Sequence, residues 1–323
     1  MTAAGRTPVA VLAMAYGTPD TPEGIEAYFT DIRHGRPPSP EQLHELQSRY
    51  QRIGGVSPLY KITMRQVAGL QGALDAAAGA GTFRVFAGMK HWKPRIEEAV
   101  QEIRVQGLDD VVGLVLAPHY SSFSVGEYAR KSETALADFP ARQAYVKSWC
   151  LEPFFLDYWA KAVRAALEAH RISSDGTYFL FVAHSLPEGP IVAANDPYPR
   201  EIRASAEQIA ARLNLPASQW DTAYSSAGMT GAKWLGPDYT ELFEPIRAKG
   251  FQQVMVASFG FVCDHLEVLY DVDIAGKEQA KQVELELFRP QMPNDDPAFL
   301  DGLAGVVIRA ASQSVAPLKQ QEG

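Results

Sequence analysis

Cysteine is nearly absent from this sequence of 323 residues, which contains only Cys150 and Cys263. Two thiols cannot supply a four-cysteine zinc site or a four-cysteine iron–sulfur cluster. They also provide no disulfide framework of the kind found in small secreted domains. We therefore expect a protein of a reducing compartment, the cytoplasm.

Positive net charge and long apolar runs are missing as well. The chain has 30 basic and 38 acidic residues and a net charge of −8, which argues against a nucleic-acid partner because such binding depends on Lys and Arg. Runs such as 111–117 and 178–183 have strand length, well short of the roughly 20 residues of a transmembrane helix. The apolar run 9–15 ends in a turn sequence, which favours a first core strand over a secretory signal.

The common catalytic motifs are absent too. No Gly-x-Gly-x-x-Gly follows an expected strand, and there is no phosphate-binding Gly-x-x-x-x-Gly-Lys-Ser/Thr, His-Glu-x-x-His or Gly-x-Ser-x-Gly. The segment 183–185 stands where a nucleophilic serine could occur, but it lacks the flanking glycines. The chemistry must therefore rest on other residues.

What the sequence does contain is a regular alternation of short apolar runs with longer segments of helical period. This alternation predicts an α/β fold with parallel sheets, and the expected strands divide evenly around residue 150, as two doubly wound sheets would. A single (β/α)₈ barrel is the alternative, although its spacing would be more uniform. The expected strands are 9–15, 83–89, 111–117, 143–148, 178–183, 219–224 and 253–258. The expected helices are about 21–33, 40–53, 60–78, 94–106, 124–138, 154–171, 198–213, 237–249 and 295–314.

Polar residues are concentrated where these strands end. Ligands of open α/β sheets bind beyond the carboxyl ends of the strands, and there the sequence places Tyr16, His184 and the segment 264–267. Asp264, Glu267 and Asp271 would share one face of an α-helix. Imidazole and carboxylate together suit a divalent metal such as Fe²⁺ and accept protons near pH 7. A structural hydrogen bond is the alternative role for His184.

Charge is unevenly distributed along the chain. Residues 33–65 carry six basic and two acidic side chains, a local charge of +4, whereas residues 261–301 carry three basic and ten acidic ones, a local charge of −7. If both segments line one cleft, one wall suits an anionic ligand and the other a cation. Two solvated helix faces would give the same counts.

Five segments carry a resemblance to a known family. They are MAYGTP at 14–19, IGGVSPL at 53–59, AHSLP at 183–187, WLGP at 234–237 and GFVCDHLEVLY at 260–270. In this order they strongly resemble the ferrochelatases, over nearly the whole chain. Tyr16 makes the chain similar to the coproporphyrin III ferrochelatases of Gram-positive-type bacteria, because relatives that use protoporphyrin usually have an aliphatic residue there.

The resemblance implies that Fe²⁺ is inserted into coproporphyrin III, giving iron coproporphyrin and two protons, in haem biosynthesis. It also implies two Rossmann-like domains of the chelatase type, 1–150 and 151–304, with the macrocycle in the cleft between them and with a C-terminal helix over about 305–323 packed on the first. His184 and Glu267 would bind the metal and take up protons on one face of the ring, and Tyr16 would lie on the other face. Asp264 and Asp271 would form a metal or proton relay, or be surface residues. The residues implied to bind substrate are Tyr16, Arg33, Arg49, Tyr50, Ser57 and Tyr128, where Arg supplies bidentate contacts to carboxylates.

Two positions depart from the family pattern. His34 stands where a second Arg often follows Arg33, and Ala275 replaces a Glu that extends the acidic stripe in some relatives. We expect no tightly bound cofactor, no iron–sulfur cluster, a monomer, and transient contact with neighbouring enzymes of the haem pathway. A protoporphyrin IX ferrochelatase, a chelatase for another metal such as Co²⁺, and a non-catalytic tetrapyrrole carrier are the alternative functions.

Overall fold

Two four-stranded parallel β-sheets form the framework of the computed structural model, which describes residues 7–228 and 231–314. The first sheet has the strand order β2-β1-β3-β4 and the second the order β6-β5-β7-β8. The α/β fold expected from the sequence is confirmed. The strands are β1 (Val9–Ala15), β2 (Phe83–Met89), β3 (Asp110–Val115), β4 (Arg142–Val146), β5 (Thr177–His184), β6 (Trp220–Ser225), β7 (Gln253–Ala257) and β8 (Glu286–Phe288).

Helices connect the strands and flank both sheets. Parallel neighbours require such crossover connections, because a short turn can join only antiparallel strands. The α-helices are α1 (Ile25–Ile32), α2 (Pro40–Arg52), α3 (Leu59–Ala78), α4 (Ile96–Val105), α5 (Val125–Leu136), α6 (Pro153–His170), α7 (Glu188–Ala193), α8 (Tyr198–Leu213), α9 (Phe243–Ala248), α10 (Lys277–Gln282) and α11 (Pro297–Ser314).

The two central strands β1 and β5 are the most apolar part of each sheet. All seven residues of β1 are buried, as are the first seven of β5. Each strand has a parallel partner on both sides, so both of its faces need helix cover, and the sequence accordingly shows an apolar run without polar alternation. One hydrophobic core cluster extends across both halves of the chain, from Val9 on β1 to Phe181 on β5.

Several expected helices differ from those observed. The expected helix 237–249 is a 3₁₀ turn, Tyr239–Leu242, followed by α9. The expected elements include none of α7, α10 and β8, because elements of six, six and three residues are too short to show a period. The segment Glu267–Gly276 is a π-helix, whose wider turn changes which side chains share a face.

The carboxyl-terminal helix α11 packs against α3 of the first half and against α6 of the second. It begins at Pro297, and residues 315–323 of the expected helix 305–323 lie outside the described residues. The domain boundaries at 150 and 304 stay predictions. Among the helices of residues 7–228 and 231–314, none is long and apolar enough to cross a membrane.

Candidate functional site

The candidate site lies where the central strands of the two sheets end. Strand order in both sheets reverses at the central strand, between β1 and β3 and between β5 and β7, and such reversal points leave a crevice at the carboxyl edge. Tyr16 directly follows β1, His184 is the last residue of β5, and Glu267 lies ten residues after β7. These three side chains, which the sequence predicted to act together, border the site.

Glu267 is anchored beside His184 by a close approach of backbone. The loop that follows β7 runs against the end of β5, and the amide of Gly260 donates a hydrogen bond of 3.1 Å to the carbonyl of Val182. A Cβ atom at Gly260 would lie 2.7 Å from Ala183. Only glycine fits here, and this contact brings the segment of Glu267 to the end of β5.

His184 and Glu267 form the central pair of the site. His184 Nδ1 lies 3.1 Å from Glu267 Oε2, and both side chains are about one-third exposed. The hydroxyl of Tyr198 donates a hydrogen bond of 2.8 Å to the His184 carbonyl and fixes the backbone there. The contact therefore holds an imidazole nitrogen and a carboxylate oxygen side by side, the two ligand types that a divalent metal would take from this pair.

The pair holds charge of both signs. Burial by itself would lower the pKa of His184, but the negative charge of Glu267 and the hydrogen bond to it raise that pKa above its usual value. Burial would raise the pKa of Glu267, but His184, together with a weaker contact from His265, lowers it well below its usual range. The pair is therefore an imidazolium–carboxylate ion pair over a wider pH range than separate groups would be.

Tyr16 faces the site from the first sheet. Its side chain is 41% exposed, and its ring lies 4.6 Å from the ring of His91 and edge-on to Tyr28 at 6.5 Å, measured between centroids. Desolvation by the surrounding protein, followed by the charge of Glu267, raises the pKa of the Tyr16 hydroxyl. Tyr16 therefore carries a neutral phenol within electrostatic range of the carboxylate on the other half of the chain.

The π-helix carries Glu267 and Asp271 at its amino-terminal end. Asp271 accepts a hydrogen bond of 2.5 Å from Ser226 Oγ, and its backbone carbonyl accepts one of 2.6 Å from the Tyr239 hydroxyl. Burial, with the repulsion of Glu267 as the second cause, raises the pKa of Asp271 to about 6. Asp271 therefore titrates near neutrality, which suits a group that takes up or passes on protons.

Asp264 does not belong to this stripe, and the expected α-helical face of three carboxylates is wrong. Asp264 precedes the helix, and its carboxylate lies 3.0 Å from Arg289 and accepts a hydrogen bond of 2.8 Å from Asn294. Arg289 also pairs with Asp273. Arg289, which directly follows β8, therefore holds Asp264, whereas Glu267 and Asp271 lie four positions apart on the π-helix.

The arginines implied to bind substrate are placed at the ends of α1 and α2. Arg33 follows α1, with its guanidinium 5.6 Å from the Phe29 ring centroid. Arg49 pairs with Glu45 at 2.6 Å and lies 3.8 Å from Asp271. Arg49 is therefore in contact with the acidic helix, and its role toward a substrate carboxylate stays a prediction.

The three implied hydroxyl groups are buried. Tyr50 is 1% exposed, and its hydroxyl lies 2.9 Å from Thr18 Oγ1. Ser57 accepts a hydrogen bond from the amide of Leu59 at 3.3 Å, at the start of α3. Tyr128 is buried beneath the ammonium group of Lys90, which lies 5.4 Å from its ring centroid. The structure thus gives each of these groups a protein contact, and substrate binding by them remains a prediction.

The basic and acidic segments found in the sequence touch one another. Arg52 pairs with Glu278 and lies over the Tyr270 ring, while Arg65 pairs with Asp295 at 2.7 Å. These contacts join α2 and α3 of the first half to the segment around the π-helix. The basic segment 33–65 and the acidic segment 261–301 are therefore joined by ion pairs between the two halves of the chain.

Sequence reasoning missed three groups around the site. Lys90 and His91 follow β2, where Lys90 pairs with Glu127 and the His91 ring contacts Tyr16. His265 Nε2 lies 3.8 Å from Glu267 Oε2, and its Nδ1–H donates to the Cys263 carbonyl at 3.0 Å. The available signals were the position of Lys90 and His91 directly after β2, and the position of His265 within the segment 264–267 already singled out.

Departures from the family pattern fall on the same surfaces. His34 is exposed, with a positive φ of 55°, directly after Arg33. Ala275 lies on the π-helix, four positions after Asp271. Among the described residues, no group of three or more His, Cys, Asp or Glu side chains is arranged to hold a metal ion.

Comparison with known proteins gives consistent results. A sequence model of the family described as Ferrochelatase matches residues 8–311. The chain is 42% identical over 302 residues to the coproporphyrin III ferrochelatase of Geobacillus kaustophilus, covering 93% of this chain and 95% of that one. It is 42% identical over 301 residues to the ferrochelatase of Herpetosiphon aurantiacus, covering 92% and 97%.

Solved structures share the fold at low sequence identity. The chelatase SirB of Bacillus subtilis, in a structure with Fe³⁺, has a TM-score of 0.57 at 13% identity, covering 95% of this chain and 97% of that chain. SirB of the subspecies spizizenii, in complex with cobalt, has a TM-score of 0.56 at 12% identity, covering 95% and 96%. These similarities concern the fold alone.

Proposed function

The chain belongs to the ferrochelatase family, and on that premise we propose that it inserts Fe²⁺ into coproporphyrin III, with release of two protons. The observation that carries the proposal is the His184–Glu267 pair at the end of β5, with Nδ1 and Oε2 3.1 Å apart and Tyr16 facing it from β1. Relatives named coproporphyrin III ferrochelatases, at about 40% identity over most of their length, support the choice of porphyrin.

Fe²⁺ is a substrate in this reaction and binds first to the pair. The imidazole of His184 and the carboxylate of Glu267 would offer two protein ligands, so other coordination positions remain for water and then for the pyrrole nitrogens. A proton and the cation compete for the imidazole, because a protonated ring has no lone pair for a metal. Asp271, which interacts electrostatically with His184 and has a pKa raised to about 6, is the group proposed to take up the displaced proton.

The porphyrin must lose both pyrrole protons as the metal enters. A planar ring holds these hydrogens in its plane, so tilting a pyrrole toward the His184–Glu267 pair exposes a nitrogen lone pair to the cation. Contacts remote from the reacting nitrogens supply the energy for that distortion. Tyr16, as a neutral phenol on the opposite side, supports the ring without adding negative charge.

Arg33 and Arg49 are proposed to hold the propionates. Coproporphyrin III carries four carboxylates, and guanidinium groups bind carboxylates through paired N–H donors. Arg49 is now shared between Glu45 and Asp271, so a propionate would compete with these two carboxylates. Substrate binding would then remove a positive charge from Asp271 and favour its protonated form.

We further propose a monomer that needs no tightly bound cofactor and acts in the cytoplasm. Both cysteines are buried free thiols, and burial raises the pKa of Cys150 and of Cys263 to about 12, so both stay protonated and unreactive. This agrees with a reducing compartment. Contact with neighbouring enzymes of the haem pathway is part of the proposal as a transient step.

Anaerobic metallation of coproporphyrin III, followed by the change in its visible absorption bands, tests the function. The wild-type protein should metallate with Fe²⁺, and Glu267→Gln and His184→Ala should each lower kcat at least about 100-fold, since each removes a ligand and proton acceptor. Glu244→Gln, at an exposed position of α9, is the control and should keep full activity.

The outcomes separate the alternatives. No metallation by the wild type, with tight porphyrin binding, would indicate a tetrapyrrole carrier. A strong preference for Co²⁺ would indicate a chelatase for another metal. Full activity in both site variants would contradict the assignment of His184 and Glu267.

A further inference from the structure

A chain of contacts behind Tyr16 ends in a carboxylate that has no role in the proposed chemistry. His91 contacts Tyr16 twice, because its amide donates a hydrogen bond of 2.9 Å to the Tyr16 carbonyl and its ring lies 4.6 Å from the Tyr16 ring at an interplanar angle of 55°. His91 is buried, so its ring forms part of the wall against which Tyr16 rests.

Asp31 fixes the orientation of that imidazole ring. His91 Nδ1 lies 2.8 Å from Asp31 Oδ2, and the second oxygen, Oδ1, accepts a hydrogen bond of 2.9 Å from Arg95 Nη2. Both carboxylate oxygens are therefore occupied by donors from different elements, the end of β2 and the start of α4. Such a carboxylate cannot rotate without losing one partner.

The charges around the ring determine its tautomer. Burial lowers the pKa of His91 to about 4, outweighing the opposing effect of Asp31. Burial would raise the pKa of Asp31, but the hydrogen bonds from Arg95 and His91 lower it. At neutral pH the carboxylate is therefore ionised and accepts the Nδ1–H of a neutral imidazole.

We propose that Asp31 is a positioning residue, which holds the His91 ring and thereby the position of the Tyr16 phenol in the candidate site. The arrangement has the form of a carboxylate that orients an imidazole, and the imidazole in turn orients the group that faces substrate. Asp31 lies in the last turn of α1, two residues before Arg33. The end of α1 thus carries Asp31, which supports Tyr16 through His91, and Arg33, which is proposed to bind a propionate. The expected effect on the metallation rate rests on the proposed function, whereas the contacts of Asp31, His91 and Tyr16 do not depend on it.

Asp31→Asn is the decisive variant, since it keeps the volume and removes the charge. Glu26→Gln, exposed on the first turn of the same helix α1, is the matched control. With ¹⁵N-labelled histidine, the wild-type protein without substrate should show His91 as the neutral Nδ1–H tautomer at pH 7, identified by its loss in His91→Phe. The Nδ1–H population should fall in Asp31→Asn and stay unchanged in Glu26→Gln.

The Tyr16 part of the proposal has its own readout. With ring-labelled ¹³C-tyrosine, the Tyr16 signal, identified by its loss in Tyr16→Phe, should shift in Asp31→Asn because the ring of His91 moves relative to it. Under metallation, kcat should fall about tenfold in Asp31→Asn with less than a twofold change in KM for coproporphyrin III. Circular dichroism and thermal unfolding show whether Asp31→Asn has kept its fold. If it has not, Arg95→Gln, which removes the second hydrogen-bond donor to Asp31, is used in its place.

A double-mutant cycle shows whether Asp31 acts through His91. The loss of rate in Asp31→Asn/His91→Phe should equal that of His91→Phe alone, whereas independent roles would multiply the two losses. The proposal is overturned by an Nε2–H tautomer of His91 in the wild type, by an unshifted Tyr16 signal in a folded Asp31→Asn, or by multiplying losses. Failure of the wild type to metallate would refute the proposed function and leave the two labelling experiments to decide this inference.

Discussion

At the scale of single residues, the His184–Glu267 pair shows how one contact sets two protonation states. The same 3.1 Å contact raises the pKa of the imidazole and lowers that of the carboxylate. A divalent ion that takes the place of the proton leaves a cation beside Glu267, with one more positive charge than the proton carried. The pair is thus prepared for a cation before iron arrives.

Asp271 is expected to make the stability of the protein depend on pH. Its pKa is raised to about 6, while an unfolded chain has an Asp pKa of about 3.9. Between these values the folded state binds more protons than the unfolded state, so the contribution of Asp271 to the free energy of unfolding falls as pH rises from about 4 to 6. Asp271→Asn removes this loss and should stabilise the protein more at pH 7 than at pH 4, by about 1–3 kcal/mol.

Urea unfolding of the wild type and Asp271→Asn at the two pH values measures this difference. Asp138→Asn, at an exposed position of the first half, controls for the loss of one carboxylate. The same stabilisation at pH 4 and pH 7 would contradict the raised pKa.

At the scale of elements, the π-helix Glu267–Gly276 is the segment that most distinguishes this fold from a regular α/β sandwich. Its wide turn brings the Asp271 carbonyl within 2.6 Å of the Tyr239 hydroxyl. Gly276 provides the space, because a Cβ atom there would collide with that hydroxyl and lie 2.9 Å from the Asp271 carbonyl oxygen. The helix geometry therefore depends on a contact with the 3₁₀ turn before α9.

Gly276→Ala should disturb this segment. The added methyl group must displace the Tyr239 hydroxyl, and we expect a loss of about 1–3 kcal/mol in the free energy of unfolding together with a lower kcat. Tyr239→Phe removes the colliding oxygen, so the double variant should recover part of the lost stability. Denaturant unfolding measures both variants.

Gly72→Ala is the matched control, since Gly72 lies on α3 with no atom within 4 Å of an added Cβ. It should be neutral or slightly stabilising, as alanine is a better helix former than glycine. Equal effects of the alanine at both positions, or no recovery in the Gly276→Ala/Tyr239→Phe variant, would refute the packing argument.

At the scale of the whole molecule, the two sheets have the same pattern of strand order, and the carboxyl ends of their central strands β1 and β5 both border the candidate site. The net charge of −8 would repel an anionic porphyrin, but the local charge of +4 over residues 33–65 lies beside the site. Charge pairs between the halves, such as Arg52 with Glu278 and Arg65 with Asp295, are exposed and worth at most about 1 kcal/mol each. These pairs therefore affect the local electrostatic field at the site more than the free energy of unfolding.

Substrate preference should follow from this field. Coproporphyrin III has two more carboxylates than protoporphyrin IX, so kcat/KM should favour it in the wild type. Arg33→Ala and Arg49→Ala should each reduce that preference about tenfold, mainly by raising KM for coproporphyrin III. Arg84→Ala, exposed on β2, should leave the preference unchanged, and equal kcat/KM of the wild type for the two porphyrins would contradict the coproporphyrin assignment.

Much of the fold could be predicted because local sequence determines it. Buried central strands require continuous apolar runs, and the expected 9–15 and 83–89 match β1 and β2 to the residue. The positions of Tyr16 and His184 at strand ends followed from those runs. The short β8 and the π-helix could not be predicted, since three residues carry no period and a π-turn depends on a partner from another element.

The sequence by itself determined the α/β class, the family resemblance and the strand ends at which the chemistry is placed. Only the tertiary structure decided which carboxylates belong to the site. It joined Glu267 to His184 across 83 positions, left Asp271 beside Glu267, and turned Asp264 toward Arg289. It also placed Asp31 behind His91. The reason is physical: a side chain's charge and partners depend on the groups that packing brings within hydrogen-bond distance, and these lie far apart in the chain.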